Sequence, residues 1–388
     1  MKVCGIIAEY DPFHKGHLYH LEQARKLSRA DYMVCVLGCA FSQRGDAMLF
    51  GTRDRALMAL INGFDLVLGM PFSFSCAQAN RFAAGGIGIL NSLGVVTHLS
   101  FGCETDQLEQ LQAAAGLLNH PDLSFARRLK DELASGCSFA LAQGRALQAA
   151  LPEIPSALFS SPNFILGVSY LRELERLHSR IIPVPVLRQT AYHSREIRPL
   201  ASAGAVRALL LEDQQIDLSI VCPSGSVEII QHAMVHRPEA MDKALLISLL
   251  DQSAAALKQL PEISEGLEAR IKSAARKATG RQELISLVKT KRYPYARISR
   301  ALTHALVGLP YYPKTPGYAR LLGFQSRAKP LLKAVSRQGF PLVTRPARTP
   351  IPEITQDMHA EELWQVGSGQ AAQKAWQQRI IEFKNEEA

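Results

Sequence analysis

The chain has 388 residues, 47% hydrophobic and 20% charged, with 44 Lys and Arg against 35 Asp and Glu and a formal charge of +9. That hydrophobic share excludes intrinsic disorder, and 26 Gly with 21 Pro exclude collagen-like and low-complexity classes. No apolar run nears the ~20 residues that cross a bilayer. The first apolar stretch, Val3 to Ala8, stops at Glu9 and Asp11 and does not fit a secretory leader, so a cytoplasmic protein is expected. Seven cysteines, odd in number and without a C-x-x-C pair, read as reduced buried thiols, with neither structural zinc nor a redox motif.

Lys2–Ala8, Tyr32–Leu37, Asp65–Leu68 and Thr97–Phe101 are short apolar runs of the kind that form buried strands. Helical patterns over Gly16–Ser28, Thr52–Asn62 and Gln78–Leu93 lie between them, the last stopping at Gly94. This alternation predicts an α/β fold with a parallel sheet, whose ligands bind beyond the carboxyl ends of the strands. The pattern is helical from Gln107 to Ala149 and again over about Asn163–His178, before a Pro-bounded strand at Ile181–Leu187 and a helix from Ser202. Beyond about Ile216 only helix-like segments are read. Two domains are therefore expected, 1–214 binding nucleotide and 215–388 helical.

Charge divides unevenly. Residues 270–348 carry 18 basic side chains and one acid, Glu283, whereas residues 201–269 carry 4 and 10. Tyr293, Tyr295, Tyr311, Tyr312 and Tyr318 interleave with the basic stretch. Cations neutralise phosphates and tyrosine rings stack on unpaired bases, so 270–348 reads as a surface for a polyanion partner, against the alternative of a solvated helix face.

The segment Glu9-Tyr10-Asp11-Pro12-Phe13-His14-Lys15-Gly16-His17 leaves the first strand and opens the first helix. Gly16 permits close backbone approach, and a helix start presents unpaired N–H groups to an anion. His14 and His17, three residues apart, can both face one phosphate and donate to charge developing there. A metal reading competes, with His20 next on the same face, but only Glu9 and Asp11 stand near as further ligands.

H-x-G-H after the first strand resembles the nucleotidyltransferase superfamily of adenylyl-transfer enzymes. Their second motif has its counterpart in Ala201-Ser202-Ala203-Gly204-Ala205-Val206-Arg207, with a Ser cap and an arginine suited to phosphates. GIIAEYDPFHKGHLYHLEQARKL, FSQRG, TRDRALMAL, FDLVLGMPFSFS, SFGCE, SSPNFILGVSYL and KTKRYPYARISRAL together resemble, in order and spacing, the bacterial tRNA(Met) cytidine acetate ligase family.

The resemblance implies a nucleotidyltransferase-like domain followed by an α-helical domain that grips tRNA. It implies activation of acetate with ATP and Mg2+ as acetyl-adenylate, then acetylation of N4 of the wobble cytidine of elongator tRNA(Met). The implied ATP contacts are Ile7, Ala8, Glu9, Tyr10, Asp11, Pro12, Phe13, His14, Lys15, Gly16, His17, Leu18, Tyr19, His20, Gly102, Asn163, Arg188, Ser202 and Arg207, with His14 and His17 catalytic. Asn163 as a helix cap and Gly102 as a turn glycine are competing readings. Lys289, Lys291, Arg292, Arg297 and Arg300 are the expected tRNA contacts, and Gln43 and Arg44 candidate carboxylate holders, against an exposed-loop reading. The chain departs from the family pattern at Asp11, Lys15, Cys39, Ala40, Gly69, Asn80 and Gly204. An adenylyltransferase acting on a small substrate, or an RNA-binding protein with a vestigial nucleotide site, are the alternatives.

Overall fold

The computed structural model describes residues 1–188, 202–212 and 217–384. β1 (Val3–Ala8), β2 (Tyr32–Gly38), β3 (Leu66–Met70), β4 (His98–Cys103) and β5 (Ile182–Leu187) pair in parallel in the order β5-β4-β1-β2-β3. The runs of β1 to β4 are unbroken because helices cover both faces, so most successive side chains are buried whichever way they point, whereas the edge strand β5 is largely exposed or half-buried. α1 (Lys15–Ser28) follows β1 and α2 (Thr52–Ile61) follows β2. The chain passes from β1 to β2 and β3 on one side, then places β4 on the other side of β1. Such a switch point opens a crevice at the carboxyl ends of the two central strands.

The expectation that only helices follow residue 216 fails at three strands. β6 (Ala319–Gln325) adds antiparallel to β3, and β7 (Leu342–Val343) and β8 (Ile381–Phe383) pair in parallel with β6. The boundary expected at 214/215 lies outside the described residues.

The helices between Asp242 and Val307 enclose a core of their own, including Leu249, Leu267, Ile271, Leu284, Val288, Ile298 and Leu302. A smaller apolar cluster joins this unit to the sheet: Phe41 and Phe72 on one side, Val307 and Leu309 on the other, with Trp364 from the helix Glu353–Gly367. All seven cysteines are free, and only Cys137 is not fully buried. No described helix is long and apolar enough to cross a membrane.

Candidate active site

His14 is the N-cap of α1. Its Nδ1 accepts the Gly16 N–H at 3.0 Å, and the His17 Nδ1 accepts the His14 N–H at 3.3 Å. These reciprocal bonds form a capping box built from two imidazoles. A backbone N–H can only donate, so both Nδ1 atoms are unprotonated and each neutral ring carries its proton on Nε2. The rings stack at 3.6 Å, with Tyr10 edge-on to His17 at 4.7 Å.

Burial, reinforced by Arg188 and Arg207, drives His14 down to about 3. Burial and the His14 ring hold His17 well below the usual histidine range, and burial with Arg188 lowers His20 to about 4. His20 also meets the Ser100 hydroxyl of β4 at 3.1 Å, tying α1 to the neighbouring strand. At neutral pH, His14 and His17 therefore supply two fixed Nε2–H donors and no cation.

The unpaired N–H groups expected at the start of α1 are not found. Lys15 N–H donates to the Val221 carbonyl at 2.8 Å, Gly16 N–H to His14 Nδ1, and His17 N–H to the His14 carbonyl at 2.8 Å. The imidazoles take over the donor role that bare backbone was expected to play.

Cations come from two other segments. Arg188 follows β5 and lies over Gly102, where an added Cβ would stand 3.5 Å from its Cγ. Its Nε is buried with no partner among the described residues, which suits a phosphate or base acceptor in the crevice. Ser202 caps the helix Ala203–Leu211 by accepting the Ala205 N–H at 3.2 Å, and Arg207 Nη1 donates to the Asp11 carbonyl at 3.1 Å. The second motif thus reaches the loop of the first. Ala201 lies outside the described residues.

Several expected contacts serve the scaffold through their side chains. The Asp11 carboxylate is buried and accepts the N–H groups of Leu49 and Phe50 at 2.7 and 2.9 Å, so both its oxygens are engaged in holding that loop. Ile7, Tyr10 and Phe13 are core, and Leu18 packs partly against it. Asn163 is not a cap: Ser161 precedes that helix, and Asn163 Nδ2 donates to Glu104 at 2.8 Å while Glu104 also takes the Phe164 N–H. Glu9 Oε1 accepts the Gln43 backbone N–H at 2.6 Å, and burial raises the Glu9 carboxyl. Arg44 is exposed.

The sequence reading missed Arg55. Fully buried on α2, it donates to the carbonyls of Glu9, Gly38, Cys39 and Phe50 at 2.6–2.9 Å and to the Thr52 hydroxyl at 3.3 Å. One guanidinium thereby joins the ends of β1 and β2 to the loop that Asp11 grips. No local sequence signal marks it, since its acceptors are backbone atoms.

The basic stretch is neutralised in part: of its 18 cations, Arg281, Arg292, Arg297, Arg300, Arg320, Arg327 and Lys329 form ion pairs among the described residues. Arg300 is buried against Glu262 at 3.0 Å, so it builds the helical unit and does not offer its charge to RNA. Arg292 and Arg297 pair with Glu265 at 3.0 and 3.5 Å. Tyr293, Tyr312 and Tyr318 donate to the Glu265 carbonyl, Glu262 and Asp357, leaving Tyr311, at 56% exposure, as the open ring among the five. Lys289 and Lys291 are exposed beyond the helix Arg281–Val288.

A histidine pair caps the first helix at the switch point of a parallel sheet, the fold is nucleotidyltransferase-like, and the HIGH Nucleotidyl Transferase family model matches residues 1–379. The chain is 36% identical over 351 residues to the tRNA(Met) cytidine acetate ligase of Syntrophomonas wolfei, covering 86% of this chain and 84% of that protein. It is 36% identical over 367 residues to that of Acetivibrio thermocellus, covering 89% and 88%. The crystal structure of Thermotoga maritima TmcAL bound with alpha-thio ATP superposes with a TM-score of 0.89 at 28% identity, covering 99% of this chain and all of that one. The protein belongs to the tRNA(Met) cytidine acetate ligase family, and is a ligase.

Proposed function

We propose that the protein condenses acetate with ATP to form acetyl-adenylate and diphosphate, then acetylates N4 of the wobble cytidine of elongator tRNA(Met). The observation that carries this reading is the pair of Nε2–H donors at His14 and His17, framed by Arg188 and Arg207. When the acetate oxygen attacks the α-phosphorus, charge grows on the phosphoryl oxygens. Neutral, pre-aimed donors stabilise that charge without reorganising. Attack by an ionised carboxylate needs positioning more than a general base, which fits imidazoles locked as donors.

Mg2+, if brought in with the triphosphate, would supply neutralisation of the charge on the leaving diphosphate. Among the described residues no group of three or more His, Cys, Asp or Glu is placed to hold a metal by itself. The helical unit, with Lys289 and Lys291 on its surface, is assigned the tRNA, in a cytoplasmic setting. The anticodon loop must splay for N4 to reach the anhydride, as in single-strand RNA recognition.

The test incubates protein, ATP, Mg2+ and labelled acetate with and without elongator tRNA(Met). Label on the tRNA, with acetyl-adenylate lost in His14→Ala and His17→Ala, is the expected result. Adenylate formed on another acid, or nucleotide and tRNA bound with no chemistry, would overturn it.

A further inference from the structure

Acyl transfer to a cytidine amine leaves a proton to be removed. The N4 lone pair is delocalised into the ring, so the amine is a weak nucleophile and its attack benefits from a base that takes the proton as the C–N bond forms. The acids and bases around β1 and β4 can be sorted by what their atoms already do.

His14 and His17 cannot serve. Each Nε2 already carries the proton, and each Nδ1 is held by a backbone N–H whose loss would open the cap of α1. Both Asp11 oxygens accept N–H groups from Leu49 and Phe50, and both Glu104 oxygens are engaged by Asn163 and the Phe164 N–H. Glu9 differs. Its Oε1 accepts the Gln43 N–H, while Oε2 has no protein donor among the described residues, and the side chain is half-buried instead of sealed.

Its position matters as much. Glu9 directly follows β1, and its partner Gln43 belongs to the loop 42–46, whose Gly45 carbonyl is held by Arg281 Nη2 at 2.6 Å and by the Thr303 hydroxyl at 2.5 Å. Gly45 has φ +90, and an added Cβ would stand 2.6 Å from the Arg300 nitrogen, so the loop sits flush on the helix Tyr295–Val307. Glu9 is therefore the open carboxylate where the histidine motif meets the loop docked on the helical unit.

We infer that Glu9 is the general base of the second half-reaction. This rests on the acetate-ligase reading above. The N4 nitrogen attacks the acetyl carbon, its proton passes to Glu9 Oε2, and the bond from that carbon to the phosphate oxygen breaks, its electron pair leaving on AMP. The charged and titratable groups acting on Glu9 are Arg207, Asp11, Arg55 and the buried Tyr170. Burial raises the Glu9 carboxyl, which brings its proton affinity closer to working pH.

The test is Glu9→Gln, whose amide oxygen still accepts the Gln43 N–H and preserves the loop. The two steps are measured separately, as hydroxylamine-trapped acetyl groups without tRNA and as label on tRNA in a single turnover. A general base is worth about 10²–10⁴ in rate, so the ratio of transfer to activation should drop by at least ~100-fold. The acid limb of the wild-type transfer profile should disappear in the variant, and Glu9→Asp should recover part of the rate. Equal loss of both steps, or an unchanged ratio, would overturn the inference. Wild-type protein that traps no acetyl-adenylate would instead overturn the acetate-ligase reading.

Discussion

Replacing Arg55 by Met tests whether one buried guanidinium holds the site loops together. The change strips donors from the carbonyls of Glu9, Gly38, Cys39 and Phe50 in a fully buried position. Hydrogen bonds from a charged donor contribute about 1.5–3 kcal/mol each, so four amount to roughly 6–12 kcal/mol. Against this stands the cost of burying a cation that no carboxylate contacts directly, several kcal/mol that the variant no longer bears. The net loss is then about 3–5 kcal/mol, or roughly a 10 °C fall in melting temperature at ~2–4 °C per kcal/mol. Arg55→Lys, a point charge that reaches fewer of the four acceptors, should lose about half as much. Thermal melts followed by circular dichroism, with ATP affinity measured by calorimetry below the melt, give both readouts. A midpoint within about 2 °C of wild type, with unchanged ATP affinity, would refute the role assigned to Arg55.

His14→Asn keeps a side chain able to cap α1 but removes the Nε2 donor, so the melting temperature should hold while acetyl-adenylate formation falls about 10²–10³-fold. Acid should destabilise the fold in a defined window. His14 and His20 titrate at about 3 and 4 in the folded state against 6.5 unfolded, so the unfolded chain binds protons the fold refuses below pH 6.5. Each contributes a loss near 1.4 kcal/mol per pH unit down to its folded value, and His20→Gln should flatten the slope in urea titrations between pH 6.5 and 4. Asp357, pushed up to about 6 by burial, opposes this below pH 6. Lys289→Ala with Lys291→Ala should reduce the salt dependence of tRNA affinity by up to about two phosphate contacts, each worth 0.7–0.9 in the log–log slope. Arg300→Ala, which leaves the buried Glu262 carboxylate with the Tyr312 hydroxyl but no cation, should instead cost about 3–5 kcal/mol of stability.

The five parallel strands and the H-x-G-H segment were legible because the forces that place them are local. Strands β1 to β4, covered on both faces, must be continuously apolar, the exposed edge strand β5 is marked instead by its prolines, and a histidine that caps its own helix needs only its next three residues. β6 was missed for the opposite reason. Its sequence, ARLLGFQ, buries Arg320, and that charge is tolerated because Glu361, far along the chain, accepts from it at 3.0 Å. Arg55 was invisible in the same way, since its partners are carbonyls from three separate segments.

The basic stretch carries a related lesson, because a census of charge along the chain counts side chains before they pair. Glu262 and Glu265 belong to the acidic residues 201–269, yet they fold back onto Arg292, Arg297 and Arg300. Arg281 is drawn the other way, towards Asp46 at 3.9 Å and the Gly45 carbonyl. Seven of the 18 cations counted in 270–348 are thus held in ion pairs that fasten the fold. What is left for a polyanion is the part no acid reaches, with Lys289 and Lys291 its exposed representatives. Arg281 also grips the loop that contacts Glu9. The residues that anchor the helical unit therefore set the position of the open carboxylate, and a substrate held by that unit would be registered against the nucleotide by the same contacts that hold the fold.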